Sequence, residues 1–113
     1  MAYAQSIRLM AETVRSIDHA TIGAAYLGVG TAIDNPARLL LIQNFTNANL
    51  MFSLDGVNDH FPMLESSHII IDISSNKTKD QGFYLSEGQR LYVKEIDNPT
   101  SGSVYFTVFY GKD

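Results

Sequence analysis

The chain has 113 residues, a net charge of −4 and no cysteine, and 45% of its residues are hydrophobic. This length and composition are typical of one globular domain with a single core, and not of a disordered chain. They exclude disulfides and thiol chemistry, and the scattered Lys and Arg residues lack the basic stripe of a nucleic-acid groove.

The sequence also argues against a membrane protein. No apolar stretch approaches the roughly 20 residues that span a bilayer as a helix. The first residues lack the basic-then-apolar order of a signal peptide. We therefore expect a soluble protein that is made in the cytoplasm and has neither a membrane nor a nucleic acid as its partner.

The beginning of the chain fits two patterns. Apolar residues from Ile7 to Ile17 have helical spacing, whereas the alternation over residues 7–13 fits a strand. The β-branched residues and the lack of a convincing helix cap favour the extended form. We predict an extended N-terminal arm over residues 1–25, which covers the last strand or reaches a neighbouring subunit, and a single β-sandwich domain over residues 26–113.

The rest of the chain consists of short β-like segments separated by turn residues. The segment at residues 37–44 is apolar on both faces at its centre, which predicts a central strand, and residues 67–73 alternate most clearly. We predict an all-β protein, an antiparallel β-sandwich or jelly roll of seven or eight strands. The segments, in chain order, are residues 23–30, 37–44, 49–54, 67–73, 82–85, 89–96 and 103–110.

The last segment, residues 103–110, is the most informative. Side chains alternate between the two faces of a strand, so Val104 and Phe106 point one way while Tyr105 and Phe109 point the other. A two-layer sandwich buries only one face of each strand. The second apolar face must therefore be covered by the arm, a loop or another protein, which favours assembly over chemistry.

Candidate sites for chemistry have simpler explanations. Residues 55–60 (Asp-Gly-Val-Asn-Asp-His) are rich in metal-ligating groups, but they lack calcium-loop spacing and are typical of a turn. The histidines at positions 19, 60 and 68 are not at metal-ligand spacing. Ser66 and His68 have no evident orienting carboxylate, and no nucleophile-elbow motif is present. We predict no catalytic residue, no metal and no cofactor, hence not an enzyme.

Aromatic residues leave an alternative open. Tyr84, Tyr92 and Tyr105 could form a stacking platform for a carbohydrate, with residues 58–60 nearby. Aromatic side chains also fill cores and protein interfaces. The absence of a basic setting favours a protein interface, and a carbohydrate-binding module remains the alternative.

Several short motifs together resemble a family of small virion proteins of tailed bacteriophages, over nearly the whole chain. They are structural turns and strand edges, not active-site signatures. In order, they are residues 6–9 (Ser-Ile-Arg-Leu), 13–16 (Thr-Val-Arg-Ser), 35–38 (Asn-Pro-Ala-Arg), 52–57 (Phe-Ser-Leu-Asp-Gly-Val) with His60, 72–77 (Asp-Ile-Ser-Ser-Asn-Lys), Leu85 and Gly88, 91–93 (Leu-Tyr-Val), 99–105 (Pro-Thr-Ser-Gly-Ser-Val-Tyr) and 109–111 (Phe-Tyr-Gly).

The resemblance implies a virion structural protein without catalytic residues. It is compatible with a capsid decoration or cement protein bound to the major capsid protein, which we favour, and with a head-to-tail connector or tail-ring component. Either would be located in the virion, and we expect a homo-oligomer. The residues that we predict at the interface are Arg8, Arg15, Ile70, Tyr92, Tyr105 and Phe109.

Overall fold

A computed structural model describes residues 8–35, 37–72, 77–78, 82–83 and 88–112. Within these ranges the chain is all-β, apart from a single 3-10 turn at His19–Thr21. The strands are β1 (Arg8–Ala11), β2 (Arg15–Asp18), β3 (Leu27–Gly28), β4 (Leu39–Asn44), β5 (Leu50–Ser53), β6 (Phe61–Met63), β7 (Ser67–Asp72), β8 (Lys77–Thr78), β9 (Gly82–Phe83), β10 (Tyr92–Glu95) and β11 (Ser103–Lys112).

The strands form two main antiparallel sheets and a small two-stranded one. The five-stranded sheet has the order β1-β11-β4-β7, with β2 pairing β11 beside β1. The four-stranded sheet has the order β3-β10-β5-β6, and β8 pairs only with β9. The long strand β11 lies between β4 and the pair β1 and β2, so residues distant in sequence meet along it.

The two main sheets contribute to one hydrophobic core. Strands β4 and β11 alternate between buried and half-buried residues, and the buried ones pack with residues of β5 and β10. Each large side chain removed from water contributes roughly 1.5–3 kcal/mol. The members with no exposed surface are Val29, Ala37, Leu40, Ile42, Leu50, Phe52, Leu91, Val93, Val104, Phe106 and Val108.

A buried amide joins the two sheets at the end of β4. Asn44 has no exposed surface, and its Nδ2 donates to the carbonyl oxygens of Ala48 at 3.0 Å and Leu64 at 3.1 Å. The Oδ1 atom of Asn44 accepts two hydrogen bonds from Thr46, one from the backbone N–H at 3.1 Å and one from the side-chain hydroxyl. Because a buried amide is costly unless it is hydrogen-bonded, this network fixes the crossing from one sheet to the other.

A buried ion pair fixes the segment between β1 and β2. The Nη2 atom of Arg15 lies 2.8 Å from a Glu12 carboxylate oxygen, and the two side chains are only 6% and 5% exposed. Arg15 also donates to the carbonyl oxygens of Thr31 at 2.9 Å and Ala32 at 2.8 Å. The carboxylate of Glu12 accepts from the backbone N–H of Asp34 at 3.2 Å. These contacts hold β2 against the loop that follows β3.

The described architecture refines the expectations from sequence. The all-β, antiparallel class is confirmed. Eleven strands are described in place of the seven or eight predicted, partly because residues 8–11 and 15–18 form strands that pair along the edge of β11. This part of the predicted arm is extended and not helical. Residues 1–7, and residues 84–85 of the predicted fifth segment, lie outside the described residues.

Breaking the buried ion pair is expected to destabilise the protein strongly. The substitution Arg15→Met leaves the Glu12 carboxylate buried without its cation, so we expect the free energy of unfolding to fall by about 3–5 kcal/mol. Chemical denaturation monitored by circular dichroism measures this loss. The double variant Glu12→Met and Arg15→Met has no uncompensated buried charge and should recover part of it. A double variant less stable than Arg15→Met would contradict this account.

Candidate functional site

One face of the five-stranded sheet points away from the core, and we call it the outer face. Residues directly opposite each other in antiparallel strands share a face. Thr107 of β11 lies opposite Leu41 of β4, which in turn lies opposite Ile70 of β7. By the same register, the outer face contains Leu9, Ala11, Ser16, Asp18, Leu39, Leu41, Gln43, His68, Ile70, Asp72, Ser103, Tyr105, Thr107, Phe109 and Gly111.

Apolar side chains extend across the outer face from β1 to β7. Ile70 is 64% exposed and Leu9 is 58% exposed, while Tyr105 and Phe109 of β11 are half-buried. Phe45 follows β4, is 51% exposed, and packs its ring against that of Tyr105 with 5.7 Å between centroids. The members with a carboxylate or an imidazole, Asp18, His68 and Asp72, lie on the flanking strands β2 and β7. An apolar surface flanked by polar groups is typical of a protein interface.

The structure brings together three of the six residues predicted at the interface. Ile70, Tyr105 and Phe109 lie on the outer face. Sequence reasoning missed Leu9, Leu41 and Phe45, because their membership depends on which strands pair. The alternation of Leu9 and Leu41 within their own segments was the available signal.

Two of the other three predicted residues, Arg15 and Tyr92, are not part of the outer face. Arg15 is buried, and its charge is paired with Glu12 of its own chain, so it is not part of the outer face. Tyr92 belongs to the four-stranded sheet, and its neighbour Val93 points into the core. Arg8 is the first residue of β1, opposite Lys112, and its side chain lies outside the described part of the structure. Tyr84 also lies outside it.

A second candidate site surrounds the loop after β5, where the predicted turn is confirmed. The Asp55 carboxylate accepts from the backbone N–H groups of Asn58 at 2.9 Å and Val57 at 2.8 Å, and from the Ser53 hydroxyl at 2.8 Å. The donors, Asn58 first, hold the pKa of the Asp55 carboxyl well below its ordinary value of 3.8. His60 Nδ1 accepts from the backbone N–H of Leu54 at 2.8 Å. These residues therefore stabilise the loop itself.

A polar contact joins this loop to the neighbouring strands. The Tyr26 hydroxyl donates to Asp59, and Lys94 Nζ lies 3.0 Å from the same carboxylate and 4.7 Å from the Tyr26 ring centre. The Tyr26 hydrogen bond, followed by that of Lys94, lowers the pKa of Asp59. Desolvation, together with the Asp59 contact, raises the pKa of Tyr26. The three side chains form one cluster on the surface of the four-stranded sheet.

An open cleft of about 420 Å³ lies beside this loop. The Tyr92 ring packs over Gly56, where an added Cβ would lie 3.2 Å from the ring. The cleft is lined by Leu54, Asp55, Gly88, Gln89, Arg90 and Tyr92. Because Tyr92 and Tyr105 belong to different sheets and both point away from the shared core, they do not form one aromatic platform.

Comparison with family models, with curated proteins and with solved structures finds no match for this chain. Within the described ranges, there is no helix long and apolar enough to cross a membrane. The same ranges contain no group of three or more His, Asp or Glu residues placed to hold a metal ion.

The Asp55 carboxyl is expected to titrate at unusually low pH. Its pKa is lower in the folded than in the unfolded protein, so its stabilising contribution is fully present above pH of about 4 and is lost as the pH falls through the folded pKa. Carboxyl NMR should give a titration midpoint well below 3.8. The backbone amide signals of Val57 and Asn58 should report the same midpoint, and Asp55→Asn should remove it from both. A midpoint at the ordinary value would contradict the hydrogen-bond account.

Proposed function

We propose that the protein is a non-enzymatic structural component of a bacteriophage particle, and that it is a decoration or cement protein that binds and stabilises the capsid. In this proposal the two main sheets form a β-sandwich of the jelly-roll type. The outer face binds the major capsid protein or another virion protein. The observation that carries the proposal is the apolar surface of the outer face, where Tyr105 and Phe109 of β11 and Ile70 of β7 lie on either side of β4.

The chemistry of the outer face supports a partner surface that is itself largely apolar and uncharged. The face offers Leu, Ile, Phe and Tyr side chains, whereas its carboxylate and imidazole groups lie on the flanking strands β2 and β7. Aromatic side chains at the centre of an interface commonly contribute most to affinity. Burial of apolar area contributes roughly 25 cal/mol per Å² before the costs of association are subtracted. Repeated identical contacts over a particle would add avidity.

Removing one aromatic side chain from the outer face should weaken binding to particles. We expect Tyr105→Ser to lower the affinity for particles that lack this protein by about tenfold or more, because the half-buried ring is lost from the interface centre. Val57→Ser is the matched control, since Val57 is 78% exposed but lies on the loop after β5. Co-sedimentation with purified particles measures the affinity of both variants. Equal occupancy by the two variants would contradict the proposed role of the outer face.

The copy number per particle distinguishes the two virion roles. Quantitative mass spectrometry of purified particles gives the ratio of this chain to the major capsid protein. A copy number comparable to that of the major capsid protein supports decoration. A copy number that corresponds to the subunits of a single ring supports a connector or tail component. Absence from particles would contradict both roles.

The cleft beside the loop after β5 supports a second candidate function, that of a carbohydrate-binding module. It combines an aromatic ring, a carboxylate and a guanidinium, from Tyr92, Asp55 and Arg90, which are groups that commonly bind sugars. In this case Tyr92→Ala should abolish binding on a glycan array while Tyr105→Ser leaves it unchanged. Binding to no glycan by the unmodified protein would exclude this alternative.

A further inference from the structure

The four-stranded sheet also has a face that points away from the core, and we call it the far face. Met51 of β5 lies opposite Lys94 of β10 and Pro62 of β6. The residues on either side of Met51 have no exposed surface and belong to the core, so Met51 and its two partners point outward. The same alternation continues the far face by two residues in each segment. Its members at this end of the sheet are Met51, Pro62, Lys94, Asn49, Leu64 and Ile96.

The apolar members of this group form a patch at the end of the far face, and we call it the end patch. They are Met51, Pro62, Leu64 and Ile96. Leu64 is 67% exposed and Ile96 is 49% exposed. Asn49 lies between them, because its carbonyl oxygen accepts from the backbone N–H of Ile96 and its Oδ1 accepts from the backbone N–H of Glu65, both at 3.1 Å. Exposed apolar side chains that are grouped in this way mark interaction sites on soluble proteins.

Hydrogen bonds hold the two most exposed residues of the end patch in place. The carbonyl oxygen of Leu64 accepts from Nδ2 of the buried Asn44 at 3.1 Å. The backbone N–H of Asp97 donates to the carbonyl oxygen of Asn49 at 3.1 Å, beside that of Ile96. All these bonds use backbone groups of residues 64–65 and 96–97, so the side chains of these residues point to solvent. A surface that is fixed in advance loses little conformational entropy when it binds.

A carboxylate follows each of the two exposed apolar residues. Glu65 follows Leu64 and Asp97 follows Ile96, and both acidic residues are exposed. Within the described ranges, neither carboxylate has an ion-pair partner. The end patch therefore combines apolar side chains with two negative charges that the described part of the chain does not neutralise. A complementary partner surface has apolar groups beside positive charges.

The charges of the chain itself argue against a second copy as this partner. Each cation whose side chain the structure describes already interacts within the chain. Arg15 pairs with a glutamate, Lys94 pairs with an aspartate, Arg90 donates to a backbone carbonyl, and Arg38 is also engaged. Two copies with a net charge of −4 each would also repel each other. An anionic lipid surface is disfavoured for the same reason.

We propose that the end patch is a docking site for a basic protein segment, in which apolar side chains lie next to Lys or Arg. The apolar side chains of this segment pack on Leu64 and Ile96, and its cations pair with Glu65 and Asp97. The end patch and the outer face belong to different sheets, so a partner on one leaves the other free. The proposal does not depend on what binds the outer face.

Three synthetic peptides should test the chemistry of this site. The first joins Leu and Arg residues through Gly-Ser spacers, the second replaces every Arg by Glu, and the third replaces every Leu by Ser. NMR titration of the isotope-labelled protein gives the dissociation constant of each peptide. We expect the Leu/Arg peptide to bind about tenfold or more tightly than either of the others. Its amide shifts should cluster at residues 49–51, 62–65 and 94–97, and not at residues 68–72 and 103–109 of the outer face.

Substitutions in the end patch should separate its apolar and charged contributions. The double variant Leu64→Ser and Ile96→Ser should weaken binding of the Leu/Arg peptide by about tenfold or more. Val57→Ser is the matched control, since Val57 is 78% exposed but lies on the loop after β5. The double variant Glu65→Lys and Asp97→Lys should reverse the preference, so that the Leu/Glu peptide binds better than the Leu/Arg peptide. Circular dichroism confirms that each variant is folded.

Four results would overturn the proposal. The first is a Leu/Arg peptide that causes no shift at residues 64–65 and 96–97. The second is equal binding of the Leu/Arg and Leu/Glu peptides by the unmodified protein. The third is binding to vesicles of phosphatidylcholine and phosphatidylglycerol that Leu64→Ser with Ile96→Ser abolishes, which would indicate a membrane. The fourth is a dimer in analytical ultracentrifugation that the same variant dissociates, which would indicate a second copy. Each result leaves the test of particle binding by Tyr105→Ser unaffected.

Discussion

The ladder between β4 and β11 is the interaction on which the rest of the structure depends. It aligns six consecutive residue pairs, and the inward-facing side chains of these pairs have no exposed surface. A strand has two faces, and the core can bury only one of them. The outward-facing positions of the same strands include Leu39, Leu41, Tyr105 and Phe109, so this ladder also presents apolar side chains on the surface. The core and the candidate interaction surface are thus the two faces of the same pair of strands.

Buried polar groups set the geometry around this ladder. Asn44 connects the end of β4 to the turns that lead into the other sheet, and Arg15 with Glu12 fixes β2 against the loop after β3. Such groups tolerate few alternative arrangements, because each displaced donor or acceptor would be left without a partner. A rigid frame of this kind suits a surface that must match a partner without rearranging.

Side-chain alternation allowed much of the fold to be predicted, and long-range pairing explains the remainder. The two faces of residues 67–72 and 103–110 follow the sequence, and the turn at Asp55 follows from its own local hydrogen bonds. The sequence did not indicate that Arg15 is buried, since its partners lie in a distant loop. Nor did it place Tyr92 and Tyr105 on different sheets. Periodicity identifies the faces of a strand but not its neighbours.

The position of β11 has a consequence for how the protein folds. This strand pairs with β1, β2 and β4, yet it follows every other described strand in the chain. The five-stranded sheet can therefore form only after residues 103–112 have been synthesised, and until then β4 lacks its main partner. Pairing between residues as distant as Arg8 and Lys112 gives a high contact order, for which slow folding is typical. During synthesis, the apolar segments of β4 and β7 would remain exposed until β11 arrives.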